Sequence, residues 1–124
     1  MKLKTLHEDK TTATQLVYEF LKENGVPSYR TTVLPKTPVP DCLFITSDPD
    51  FAEKDFTNTH HQIALYFGDD GRVSLEYESP SRPPGSTRFV RCVIEFLDVN
   101  LHDPDSLQKI LEFVKKHPEA HYEA

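Results

Sequence analysis

Glu76 and Glu78 are the residues of this chain whose types and spacing best suit acid–base chemistry. They lie two positions apart in the segment Glu76-Tyr77-Glu78, so in a strand their side chains point to the same face. Two neighbouring carboxylates can divide the work of a general acid and a general base. Nothing in the sequence indicates burial of either one. A hydrolase that uses Glu76 and Glu78 is one of three functional hypotheses.

Three arginines, Arg82, Arg88 and Arg91, form the second set of residues able to do chemistry. No acid occurs over residues 79–94, although the whole chain carries a formal charge of -6. Guanidinium groups bind carboxylates and phosphates through paired hydrogen bonds, and an aromatic ring beside them can stack on a planar ligand. The arginines therefore predict, as a second hypothesis, a receptor or sequestering protein for a small anionic ligand such as a phosphate or a nucleotide.

Two of these arginines fall in the segment Ser79–Arg88, SPSRPPGSTR, which separates two predicted strands. The segment holds three prolines and one glycine, whereas roughly two to five residues are enough to turn a hairpin. We therefore predict a mobile loop over residues 79–88. Its Pro80-Ser81-Arg82-Pro83 part also matches the PxxP pattern that polyproline-binding domains recognise. The alternative is a tolerated surface insertion.

Patterns for metals and reactive thiols are weak. The six histidines include no pair with the spacing that holds zinc on one element. The tripeptide Asp-Pro-Asp occurs at residues 48–50 and 103–105, but neither copy continues with the glycine and glutamate of an EF-hand loop. Cys42 and Cys92 lie in apolar strand-like runs, which predicts two buried thiols, with a disulfide between them as the alternative. We predict no metal and no cofactor.

The composition is that of a folded domain and disfavours several functional classes. The chain has 124 residues, of which 37% are apolar and 27% are charged, as expected for one domain. Its negative charge argues against nucleic-acid binding. The longest apolar runs are too short to cross a bilayer, and the start has lysines but no apolar stretch typical of a secretory signal. We expect a cytoplasmic protein that binds neither nucleic acid nor a membrane.

Periodic segments predict a single α+β domain with an antiparallel β-meander of about five strands. The predicted strands are residues 28–34, 42–47, 61–67, 72–78 and 89–97. A helix capped by Thr12 precedes them and ends at Gly25. A second helix over residues 104–117, opened by Asp103 and Pro104, follows them. We expect both helices to pack on one face of the sheet.

Three further segments complete the predicted domain. A short helix near residues 49–55 lies in the middle connection, where Asp48 and Pro49 give start signals. Residues 1–10 at the N-terminus are predicted to be flexible. The tail over residues 118–124 is predicted to fray, since Pro118 stops the last helix.

Turn chemistry and hydrophobic pattern together predict how the last three strands pair. A three-residue loop, Asp69-Asp70-Gly71, with the glycine in the left-handed conformation places Leu65 opposite Leu75 and gathers apolar residues on one face. The same criterion across the long loop predicts three further pairs. These are Tyr77 with Val90, Leu75 with Cys92 and Val73 with Ile94.

The opposite face of these strands is predicted to mix aromatic, aliphatic and charged side chains. Its members are Tyr66, Glu76, Glu78, Phe89, Arg91 and Val93. It is either a solvated face carrying a weak Glu76–Arg91 ion pair or a surface with aromatic anchors ringed by polar groups. The second alternative gives the leading hypothesis, a small acidic binding or adaptor protein, homodimeric and not an enzyme. It would engage a protein or peptide through this face and the loop over residues 79–88.

Overall fold

The computed structural model describes residues 10–30, 42–46, 60–81, 84–85 and 90–120. Two helices flank a set of strands, and a short 3-10 turn follows the second helix. In chain order the elements are α1 (Lys10–Glu23), β1 (Tyr29–Arg30), β2 (Cys42–Thr46), β3 (Gln62–Phe67), β4 (Arg72–Ser81), β5 (Val90–Asn100), α2 (Ser106–Lys116) and the turn Pro118–Ala120.

Strands β2 to β5 form an antiparallel sheet in which neighbours in sequence are neighbours in space. The two-residue strand β1 pairs with β2 at one edge. This confirms the predicted α+β class, with an antiparallel sheet, one helix before it and one after it. The helix predicted near residues 49–55 lies outside the described residues, as do residues 1–9 of the predicted flexible N-terminus.

The helix boundaries differ from the prediction at both N-terminal ends. Helix α1 already includes Lys10, so Thr12 lies inside it and is not its cap. Helix α2 begins at Ser106 with Asp105 as its N-cap, and Asp103 contributes only its main-chain oxygen, which accepts the Ser106 N–H at 3.1 Å. At the other end of α1, Gly25 has φ 77°, which confirms the predicted left-handed stop.

The hairpin between β3 and β4 has the predicted register. Leu65 lies opposite Leu75, with Phe67 opposite Val73 and Ile63 opposite Tyr77. The turn is closed by a hydrogen bond from the Gly68 N–H to the Arg72 carbonyl oxygen at 2.9 Å. Gly71 takes φ 78°, a conformation that glycine adopts without steric cost. Local turn chemistry therefore fixes this pairing.

The predicted pairing of β4 with β5 is wrong by five positions. Leu75 lies opposite Leu97 and not Cys92, and Val73 lies opposite Val99 and not Ile94. Strand β4 continues through Ser81, inside the segment predicted as a loop. The C-terminal end of β5 is bound to the β3–β4 turn by a hydrogen bond from the Leu101 N–H to the Gly71 carbonyl oxygen at 2.8 Å. This anchor draws Leu97 and Val99 towards the core.

The two strands do not pair evenly along their length. Tyr77 lies opposite Glu95, and the next residue, Glu78, lies opposite Val93. Ile94 is therefore an extra residue in β5, which makes a β-bulge. Because of the bulge, Val93 and Phe96 lie on the same face of the sheet although they are three residues apart.

One large apolar cluster joins both helices to one face of the sheet. Its fully buried members include Val17 and Leu21 of α1, Ile110 and Val114 of α2, and alternate residues of β2 to β4. The chain beyond α2 also contributes, since Pro118–Ala120 form a 3-10 turn and Ala120 is completely buried. In the segment predicted as a frayed tail, Ala120 thus packs in the core, and residues 121–124 lie outside the described part of the chain.

Candidate binding surface on the outer sheet face

The sheet face opposite the helices, here called the outer face, carries three rows of side chains that cross β2, β3, β4 and β5. The register sets these rows because directly opposed residues share a face. The rows are Cys42–Tyr66–Ser74–Asp98, Phe44–Ala64–Glu76–Phe96 and Thr46–Gln62–Glu78–Val93. Each row begins in the interior of the protein and ends at the edge strand β5.

The part of the outer face formed by β2 and β3 is buried. Cys42 and Ala64 have no exposed surface and Phe44 is 6% exposed, and together they form a second apolar cluster against which Tyr66 packs. We call Cys42, Phe44, Ala64 and Tyr66 the covered half. Its burial shows that this part of the outer face belongs to the interior.

A polar row borders the covered half. Thr46, Gln62 and Glu78 are all buried, and Gln62 Nε2 donates a hydrogen bond to Glu78 Oε1 at 2.8 Å. A buried carboxylate requires such donors because burial without them costs several kilocalories per mole. Glu78 is thus held in place inside the protein.

On β4 and β5, the part of the outer face around Phe96 is open to solvent. Val93 is 52% exposed and Phe96 is 68% exposed. Glu76 lies directly opposite Phe96, and Asp98 is two residues further along β5. We call Glu76, Val93, Phe96 and Asp98 the open half. It is an apolar patch with an acidic border, and apolar residues of this size are uncommon on the solvent side of a sheet.

The structure separates the residues predicted to form the site. Tyr66 packs in the covered half and Glu78 is buried, whereas Glu76 and Val93 lie in the open half. The two glutamates share a face as predicted, but one is enclosed and the other borders an exposed ring. They therefore lie in two different electrostatic environments.

The basic residues of the predicted site are only partly described. Arg91 lies in β5 opposite Pro80. Arg82, Arg88 and Phe89 lie outside the described residues. The sequence pattern did not reveal Phe96, the most exposed apolar residue of the open half, because the wrong register had placed the end of β5 elsewhere.

The two cysteines also differ. Both are free, and Cys42 is buried, but Cys92 is exposed. The prediction that Cys92 is a buried core residue is wrong. The reason is again the register, which places Leu97 opposite the core residue Leu75, where Cys92 had been predicted.

A polar cluster built on the buried rings of Tyr77 and His117 lies behind the open half, on the helix side of β4 and β5. The ring of His117 stacks on the ring of Tyr77, with 3.9 Å between centroids. His117 Nε2 is 3.1 Å from Glu95 Oε2, and its Nδ1 is 3.6 Å from Glu119 Oε1. Lys116 Nζ donates to the other Glu95 oxygen at 2.6 Å. These contacts join α2 and the turn after it to the sheet.

The cluster shifts the pKa values of three groups. Burial raises the pKa of the Tyr77 hydroxyl, and its hydrogen bond to the Glu119 carboxylate raises it further. The same bond lowers the pKa of Glu119. A hydrogen bond from Lys116 lowers the pKa of Glu95. The groups stabilise one another's existing charge states, which is typical of a structural network. No sequence pattern indicates this cluster, because its members come from distant parts of the chain.

A groove of about 350 Å³ runs between β5 and α2 beside this cluster. Its walls include Leu97 and Glu95 from the strand and Phe113 and Lys116 from the helix. A second cavity of about 500 Å³ lies further along, between the end of β5 and the start of α2, and it shares Lys109 with the groove. Both depressions thus lie beside β5.

The described residues contain no sign of a membrane span or a metal site. No helix among them is long and apolar enough to cross a membrane. No three histidine, cysteine, aspartate or glutamate side chains in the same part of the chain are grouped so that they could hold a metal ion. Comparison with protein-family models, curated protein sequences and solved structures finds no match for this chain. The geometry of the outer face is therefore the basis for assigning a function.

Proposed function

We propose that this protein is a small binding or adaptor module that engages a protein or peptide through the open half of its outer sheet face. The observation that carries the proposal is the exposure of Phe96, 68% of whose surface is accessible although it lies inside strand β5 and not at an end. Val93 extends the apolar patch on the same face. Large exposed apolar groups with a polar border are characteristic of interaction sites.

The border of the patch specifies the chemistry of the partner. Glu76 and Asp98 flank Phe96 across and along the strands, and Ser74 Oγ donates to Asp98 Oδ1 at 2.6 Å, which orients that carboxylate. A partner segment with an apolar side chain for Phe96 and a basic side chain beside it would meet both requirements. Strand β4 ends at Ser81, opposite Val90, and the connection that follows it would extend the contact.

Peptide selection tests this proposal. Peptides selected from a random library on the immobilised protein are expected to combine apolar and basic residues. Their affinity, measured by fluorescence anisotropy, should fall about tenfold or more in the variant Phe96→Glu, which removes an aromatic anchor and adds a charge. Gln108→Glu adds the same charge on the exposed surface of α2 and should leave binding unchanged. Selected peptides that bind Phe96→Glu as tightly as the original protein would disprove the proposed site.

A further inference from the structure

Strand β5 has one edge without a strand partner among the described residues. It is eleven residues long and pairs with β4 on one side only. Within the described part of the chain, the large apolar side chains that are exposed all lie in it, namely Val93, Ile94 and Phe96. An edge strand presents a row of backbone donors and acceptors that can pair with another chain. A long and apolar edge such as this one is suited to pairing with a strand of another chain.

We infer that the complementary strand is β5 of a second copy of this chain, paired antiparallel about a two-fold axis at Ile94 and Glu95. Such a two-fold contact uses the same surface on both copies. The pairing itself rests on the edge of β5 alone. The role of the surface that it creates rests on the function proposed above.

The β-bulge selects the register of this pairing. Opposed residues in an antiparallel pair must share a face, and the bulge places Val93 and Phe96 on the same face. Pairing Val93 with Phe96 of the second copy satisfies this condition on both sides of the axis. It also places apolar side chains opposite each other, which stabilises a strand pair.

The charges along β5 agree with the same register. Position 91, an arginine, comes to lie opposite Asp98 of the second copy, and the symmetry produces this pair twice. Glu95 lies opposite Ile94 of the second copy. The two Glu95 carboxylates are therefore not opposed to each other. Shifting the register by two residues in one direction would oppose Val93 to Asp98 and lose both the apolar and the charged pairs. Shifting it in the other direction would oppose position 91 to Phe96 and lose the charged pairs.

Glu95 does not prevent this pairing, although charged residues that point inward often protect sheet edges. Its carboxylate accepts a hydrogen bond from Lys116 and lies 3.1 Å from His117 Nε2. The charge is thus neutralised within its own chain. On the same side, the groove beside α2 is lined by Leu97, and this register places Cys92 of the second copy opposite Leu97.

Pairing of this kind would join the two open halves into one surface. Val93 and Phe96 of each copy would form a continuous apolar patch at the two-fold axis, with Glu76 and Asp98 around it. One peptide-binding surface would then belong to two chains. A dimer would form whether or not such a peptide exists.

Charge reversal tests the pairing directly. Light scattering at micromolar concentration should give twice the chain mass of 14.3 kDa. Asp98→Arg and Arg91→Asp should each weaken the dimer by about tenfold or more, because like charges then oppose each other twice. The double variant should restore the dimer. Glu23→Arg, which reverses a charge on the exposed surface of α1, should leave it intact.

Disulfide trapping tests the register. Leu97→Cys should form a covalent dimer with Cys92 of the second copy on mild oxidation, because these positions are opposed. Val99→Cys should form little, since its predicted opposite is residue 90. Circular dichroism would show whether Leu97→Cys folds. If it does not fold, the charge reversals still test whether the two β5 strands pair.

Three results are distinguishable. A monomeric mass for the original chain, or a dimer that is insensitive to both charge reversals, would overturn the inference. A dimer that responds as expected while no peptide binds would support the pairing and remove the proposed function. Peptide binding by a monomer would support the proposed function and remove the pairing.

Discussion

The covered half and the open half of the outer sheet face contain the same kind of residue in opposite environments. Phe44 and Phe96 lie in one row that crosses the sheet, with Ala64 and Glu76 between them. Phe44 is 6% exposed and Phe96 is 68% exposed. Residue type and strand pattern are therefore the same at the two ends of the row, and only the position in the sheet differs.

If the open half binds a partner as proposed above, the difference between the halves separates a structural from a functional use of apolar surface. Burying a phenylalanine contributes stability to the fold, whereas an exposed one contributes little to the fold and is available to a partner. Substitutions at the two ends of the row should thus have different effects on folding and on binding.

The largest effect on stability is expected for Phe44→Ala in the covered half. Removing a buried ring leaves a cavity, so the free energy of unfolding should fall by about 3 kcal/mol or more. Phe96→Ala is the matched control and should change it by less than about 0.5 kcal/mol. Urea denaturation measures both. Equal losses for the two variants would show that the open half is buried in solution.

The next largest effect is expected at Gly71, which anchors the end of β5. A Cβ atom there would meet His102 Cδ2 at 3.0 Å and Asn100 Oδ1 at 3.2 Å, and φ is positive. Gly71→Ala should therefore cost about 2 kcal/mol, from strain and from displacement of these side chains. Gly25→Ala has the same backbone strain without a contact within 4 Å, and should cost about 1 kcal/mol. Urea denaturation measures both losses. If Gly71→Ala cost no more than Gly25→Ala, the contact of Gly71 with the end of β5 would not position that strand.

Tyr77→Phe should have a moderate effect that depends on pH. The raised pKa of Tyr77 means that the folded protein holds this proton more tightly than the unfolded chain. This contribution is present below the ordinary value of 10.0 and is lost as the pH rises above it. At neutral pH the free energy of unfolding of the variant should be lower by about 1.5 kcal/mol, because the hydrogen bond to Glu119 is absent.

Chemical denaturation between neutral and alkaline pH measures this dependence. The original protein should become less stable as the pH rises above 10.0, and Tyr77→Phe should show less of that loss. Tyr18→Phe, on α1, controls for the removal of a tyrosine and should keep the full dependence. If Tyr77→Phe lost stability at alkaline pH as steeply as the original protein, the proposed contribution of the Tyr77 hydroxyl to stability would be wrong.

The smallest effect is expected for Glu95→Gln. The bond from Lys116 lowers the pKa of Glu95 below its ordinary value of 4.5, so its ionised form is favoured by folding. That contribution is present above 4.5 and is lost as the pH falls through the lowered value. The variant should show a shallower loss of stability in acid, measured by thermal unfolding from neutral pH downward. Glu112→Gln, which lies outside this ion pair, should keep the original slope.

The two hairpins show why sequence patterns predicted one part of the sheet and not another. In the β3–β4 hairpin a short loop and Gly71 leave one register that keeps the apolar residues together, and that register is present. Between β4 and β5 the long connection imposes no such limit. Several registers gather apolar residues on one face, and the bulge at Ile94 breaks the alternation on which the prediction relied.

The sequence likewise predicted some residues of the candidate site and missed others. Val93 and Glu76 were placed on an outer face and are exposed or half-exposed there. Phe96 was not recognised, because its exposure depends on the register of β5. The stack of Tyr77 on His117 was equally hidden, since it joins residues forty positions apart. Interactions at long sequence separation leave no periodic signal.

Local sequence signals are sufficient for the α+β class, the antiparallel order of the strands and the tight β3–β4 turn. These features follow from periodicity and from glycine conformation, which act within a few residues. Which half of the outer face is buried and which is open depends instead on what packs against each strand, so it emerges only when the whole chain is folded. Phe96 lies in the edge strand β5 of the described sheet and is in solvent, whereas Phe44, in the same row but in the interior strand β2, is enclosed.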